Sequence, residues 1–222
     1  LAIPLFCLIA CLIPETIVTS STSVAKISLQ PFSLVFVAIF YGLADLVIRE
    51  AIVRGRVGLA GKLLLGVAFG FFNEGVVAGT WYTVVPKGYV FLGVWNWGWA
   101  ISLTVFHTFV SVLTPIYLFD NFMPSYANTP LLHRRGIFIT SVIFLALCLV
   151  IALTPHYRVE RLLVYAAALL LIALAFALPR PRDAANTTPT GKPAPGLWPL
   201  RLLGFVALLL YFICIYVVPS LL

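Results

Sequence analysis

The chain predicts an all-α, polytopic integral membrane bundle of about seven transmembrane helices, and three observations carry that reading. Of its 222 residues, 62% are hydrophobic and 9% charged, against about 25% charged in a soluble domain. Apolar stretches recur at the ~20 residues needed to cross a hydrocarbon core of about 30 Å. The basic residues gather in alternate connections, as they do beside membrane spans. A soluble core needs a polar surface around it, and this composition cannot supply one.

Taken in order, the spans are expected at 1–19, 31–50, 62–85, 97–119, 136–154, 161–178 and 199–221. The first is interrupted at Pro14-Glu15, so it kinks or ends early. Residues 88–96 are apolar but too short to cross. They read as an interfacial or re-entrant segment anchored at headgroup level by Trp95, Trp97 and Trp99. A Pro/Thr/Asn/Gly stretch over 179–199 reads as a flexible polar linker before the last helix, within a single transmembrane domain, 1–222. No charged segment precedes the first apolar stretch, which speaks against a cleaved signal peptide.

The net charge of +7 is a matter of orientation and not of nucleic-acid binding. Connections after spans two, four and six hold Arg49, Arg54, Arg56, Lys62, Arg134, Arg135, Arg180, Arg182, Lys192 and Arg201. The other set holds Lys26, Lys87, Arg158 and Arg161. The richer set belongs in the cytoplasm, so a multi-pass cell-membrane protein is expected with its N-terminus inside and its C-terminus outside. The expected surroundings are the lipid bilayer, with other membrane subunits or a membrane-embedded substrate as further partners. Cys7, Cys11, Cys148 and Cys214 lie in apolar stretches without metal-ligand spacing and read as small packing residues.

The residues that could carry chemistry lie in spans two to four. Asp45, Arg49, Glu50 and Arg54 form two acid-first i,i+4 pairs at the end of the second span. Their plain reading is a helix end at the headgroups; the functional one is a polar wall facing a cytoplasmic cavity. The third span carries Asn73 and Glu74 beside Gly66 and Gly70, a small-residue face that permits close helix approach. The fourth carries His107 near its centre, with Thr104, Thr108 and Ser111 close by. An ionisable group at such depth is costly unless partnered, and is a functional candidate by default. Adjacent antiparallel spans should put Glu74 and His107 at similar depth, Glu74 about 18 Å along its helix from Lys62. Phosphate loops, HExxH and GxSxG motifs are absent from the sequence, and a single intramembrane His cannot make a bis-His haem site. No cofactor is implied.

Three short patterns resemble the intramembrane CAAX-protease and bacteriocin-processing (CPBP) superfamily. Arg49-Glu50-Ala51-Ile52-Val53-Arg54 looks like its EExxxR motif with the leading Glu replaced. Phe69-Gly70-Phe71-Phe72-Asn73 looks like FxxxH with Asn for His. His107-Thr108-Phe109-Val110-Ser111 looks like HxxxN with Ser for Asn. The order is that of the superfamily, over roughly residues 40–115. The resemblance implies a divergent or inactive intramembrane hydrolase. Glu74 or Glu50 would activate water, His107 would serve as partner base or metal ligand, Asn73 would orient an oxyanion, and Arg54 would complete the first motif. Two other classes fit the residues: a proton-coupled carrier using Glu74, His107 and Asp45 as a relay, and a non-catalytic subunit of a membrane complex. The carrier requires a water path to both faces, whereas the subunit requires polar groups satisfied internally with no accessible pocket.

Overall fold

The computed structural model describes residues 2–14, 31–82 and 95–179. The chain divides into two compact units, Leu1–Arg180 and Pro181–Leu222, and every described residue lies in the first. Of the described residues 85% are helical and none is in a strand, so the all-α class holds.

Helix α1 is Ala2–Leu12 and α2 is Pro31–Gly55. Helix α3, Leu59–Gly70, runs into a π-helical segment, Phe71–Ala78. Helix α4, Trp97–Phe106, does the same over His107–Leu113 and resumes as α5, Thr114–Phe122. Helices α6, Arg134–Ala152, and α7, Arg158–Ala177, complete the described bundle.

Among the described residues, four continuous helices are long and apolar enough to cross a membrane: Leu59–Ala78, Trp97–Phe122, Arg134–Ala152 and Arg158–Ala177. Helix α2 is as long but carries four charged residues towards its C-terminal end. Only 17% of the apolar windows of α6 and α7 is buried. Their outward faces, with Phe138, Val150, Leu163 and Leu170 exposed, match the hydrocarbon of a bilayer. The expected seventh span, the 179–199 linker (but for Pro179) and most of the 88–96 segment lie outside the described residues.

One boundary differs in a way that bears on the site. The third span was expected over 62–85, but its helix stops at Ala78 because Gly79 adopts a left-handed φ of 68°. Only glycine takes that conformation without steric cost. Glu74 therefore stands one turn from a helix end, not at the middle of a long span.

Helix α3 is the centre of the bundle, packed on α7 and on the π-helical segment that follows α4. Helix α2 packs instead on α1 and α6 and scarcely touches α3, although a short turn joins them. The core between these two groups is aromatic. Phe40 lies 6.1 Å from Phe69 and 5.4 Å from Phe144, and Phe72 lies 5.6 Å from Phe144, ring centre to ring centre.

Candidate functional site

The small-residue face of α3 sets the position of the site. A Cβ on Gly66 would stand 2.8 Å from the Thr108 methyl, and one on Gly70 would stand 3.0 Å from the Thr104 Cα. Glycine at both places lets the two backbones approach within reach of short side chains. One turn further along, Glu74 meets His107. Both residues sit in the π-helical segments, a rare backbone form that recurs at functional sites.

The contact is direct. His107 Nε2 lies 2.7 Å from Glu74 Oε1, with His107 2% and Glu74 8% exposed. Asn73 Nδ2 donates to the same Oε1 at 3.0 Å and to the Tyr41 hydroxyl at 3.1 Å, and lies 3.0 Å from His107 Nε2. The Thr80 hydroxyl donates to Glu74 Oε2 at 2.5 Å. On the far side of the ring, Nδ1 is 2.8 Å from Ser111 Oγ. The rings of Phe69 and Phe106 close the apolar walls, 5.7 and 5.1 Å from the imidazole.

This set has two consistent proton arrangements. With a hydrogen on Nε2, His107 donates to the Glu74 carboxylate and Asn73 donates to that carboxylate as well. With the hydrogen on Glu74, the carboxyl donates to the single lone pair of a bare Nε2, and the Asn73 amide still has Tyr41 and Glu74 Oε1 as acceptors. Both arrangements use the same 2.7 Å contact, and passing from one to the other requires no heavy-atom rearrangement.

Glu50 and Arg54 do not join this cluster. Glu50 is fully buried on α2; its Oε2 accepts from Arg54 Nε at 2.9 Å, and its Oε1 accepts from the backbone N–H groups of Leu131 and Leu132. Arg54 also donates to the Leu132 carbonyl. Beside them, Arg49 reaches Asp120 Oδ1 with Nε at 3.2 Å and Nη2 at 2.9 Å. It also donates to the carbonyls of Tyr126 and Thr129. Its guanidinium lies 5.1 Å from the Phe119 ring centre. Of the two i,i+4 pairs expected on α2, Glu50–Arg54 forms and Asp45–Arg49 does not. Arg49 turns to Asp120 because that partner comes with two backbone carbonyls, which satisfy two of the three remaining guanidinium hydrogens. Asp45 is left fully buried with neither oxygen hydrogen-bonded. The five candidate residues thus divide into Asn73, Glu74 and His107 in one place and Glu50 and Arg54 in another.

Sequence reasoning missed Tyr41, Thr80 and Asp120. Thr80 is six residues past Glu74 and reaches it only because the helix ends at Gly79; that glycine was the available signal. Tyr41 and Asp120 come from other helices, and no local spacing points to them. His133 and His156 are exposed, outside both clusters. Cys7, Cys11 and Cys148 form no disulfide. Among the described residues no group of three or more His, Cys, Asp or Glu side chains is placed to hold a metal ion.

Fold and site together define a polytopic helical membrane protein with a buried Glu–His pair between two closely packed spans. The chain belongs to the family described as an uncharacterized membrane protein family, whose model matches residues 4–222. Comparison with curated proteins and with solved structures returned no match. The family match overturns the resemblance to the CPBP superfamily. Its short patterns arise here from residues that serve two separate networks.

Proposed function

We propose that this is a proton-handling membrane protein in which Glu74 and His107 hold one exchangeable proton. The 2.7 Å contact between carboxylate and imidazole carries the reading. Intramembrane acid and imidazole groups facing a bundle interior are the ordinary components of proton relays. Asn73 ties Glu74 to Tyr41, and Ser111 and Thr80 hold the two outer ends. In this reading Glu50 and Arg54 position the 123–133 connection and take no part in proton transfer. The ten-to-four distribution of basic residues supports a cell-membrane orientation with the N-terminus in the cytoplasm and the C-terminus outside.

Infrared difference spectroscopy of the reconstituted protein, stepped between about pH 4 and pH 9, tests this directly. A carboxyl band that appears and disappears reversibly in the wild type, and is missing from Glu74→Gln, is the expected result. A band that never changes would mean a fixed pair and would end the proton-handling reading.

A second reading has its own support. Every polar atom of the Glu74–His107 pair is satisfied from within, and α6 and α7 leave most of their apolar surface uncovered. These are the marks of a non-catalytic subunit whose polar core only fixes helix packing. An unchanging infrared band, together with co-purifying membrane partners, would establish it.

A further inference from the structure

We propose that the cavity between α2, α3, α6 and α7 binds one anionic lipid, with a hydrocarbon chain inside and a phosphate headgroup at Arg54 and Arg134. The cavity has a volume of about 550 Å³, well within the range of about 300–1,000 Å³ typical of small-molecule sites. It exists because α2 and α3 splay apart instead of packing. Val47, Ala51, Leu65, Phe72, Ser141 and Ile172 are among its walls, which are almost wholly apolar. Such walls suit an acyl or isoprenoid chain and offer no partner to a sugar or a free anion.

The two ends of the cavity differ in charge. Arg54 and Gly55 line it where α2 finishes. On α6 the lining positions are Ile137, Ser141, Phe144 and Leu145, so Arg134 continues the same helix face one turn outward. Arg54 donates to the carbonyl of Leu132, two residues before Arg134, so the Arg54 guanidinium and the start of α6 lie at the same end. Arg135 follows directly. The acid at this end, Glu50, has both oxygens occupied by Arg54 and by two backbone N–H groups. Nη1 of Arg54 and the whole Arg134 guanidinium make no hydrogen bond or ion pair among the described residues. The first turn of α6 has no side-chain cap either, so its N–H groups and dipole face the same point. An apolar slot with the unpaired Arg134 at one end, beside an Arg54 that Glu50 holds through Nε, matches a lipid with a chain and a phosphate. The cavity touches the proton site at one residue only, Phe69, and the proposal stands without the Glu74–His107 reading.

The test is lipid retention measured by native mass spectrometry, after extraction from nanodiscs of equal parts phosphatidylglycerol and phosphatidylcholine. The wild type should retain a stoichiometric phosphatidylglycerol in preference to phosphatidylcholine. Arg134→Gln should lower that preference by about fivefold, since one basic residue near the headgroup contributes about 1 kcal/mol. Ser141→Phe, which fills the slot, should release both lipids. Ala51→Phe repeats that test from the opposite wall if Ser141→Phe does not fold. Equal retention of the two lipids by the wild type would overturn the proposal. So would undiminished phosphatidylglycerol in the filled variant, the mark of lipid bound only at the outer surface. Displacement of the lipid by inorganic phosphate alone would also overturn it, making the site one for a free anion.

Discussion

Two polar clusters are buried in this bundle, and they are built from opposite kinds of group. Around Arg49 and Glu50 the central cation is a guanidinium, which stays charged at every accessible pH. It is met by Asp120 and by carbonyls of the connection between α5 and α6. Around Glu74 and His107 both partners can gain or lose a proton, and their neighbours are an amide and hydroxyls that can reverse roles. Burial is similar in the two places. On the proposed reading the two differ in their capacity to change state, and burial alone only shows that a network's groups are matched.

Mutations at the two clusters should separate these roles. The largest loss is expected from Arg49→Leu, which strands Asp120 and two carbonyls. Breaking a buried ion pair from one side costs about 3–5 kcal/mol, and the half-open position of Asp120 puts this case at the lower end. Thermal unfolding in detergent measures it, and a change below about 1 kcal/mol would refute the clamp role assigned to Arg49.

Gly70→Val should come next, at about 1–3 kcal/mol, because its side chain collides with the Thr104 backbone and pushes the two spans apart. The same displacement should lengthen the Glu74–His107 contact, so the His107 ring-nitrogen shifts in NMR spectra should move with it. Unmoved shifts would mean that the helix approach does not hold the pair together.

Glu50→Gln should cost about 1–2 kcal/mol. Its amide oxygen can still accept from Leu131 and Leu132, but its NH₂ then opposes Arg54. Proton exchange at His107 should be untouched, and an effect there would join two clusters that the structure keeps separate.

The smallest stability effect is expected from Glu74→Gln, under about 1 kcal/mol, because the amide can accept from His107 and donate to Thr80. On the proposed reading it should be functionally the most damaging change, removing the exchangeable proton while the fold persists. Equal loss of stability and proton exchange would reduce the pair to a packing element.

Much of this was legible in the chain, for a physical reason. A bilayer core offers no hydrogen-bonding partners, so long apolar runs must be helical, and an all-α membrane fold follows from composition and length alone. Glu74, His107 and Asn73 were visible by the same logic, since polar groups stand out against lipid-soluble sequence. The Gly66/Gly70 face was readable too, because small residues at that spacing have one common use in membranes.

Tertiary structure decided which polar groups meet. Asp45 and Arg49 had favourable spacing and yet do not pair, because Asp120 and its adjoining carbonyls satisfy the guanidinium more fully. Glu50 and Glu74 were interchangeable on paper, and only packing assigned the first to the α5–α6 connection and the second to His107. The end of α3 at Gly79, which brings Thr80 onto Glu74, required a backbone angle that no periodicity reveals. Sequence determines what must be buried in lipid. Which buried groups share a hydrogen bond depends on contacts between residues as far as 82 positions apart, and local pattern carries no information over that distance.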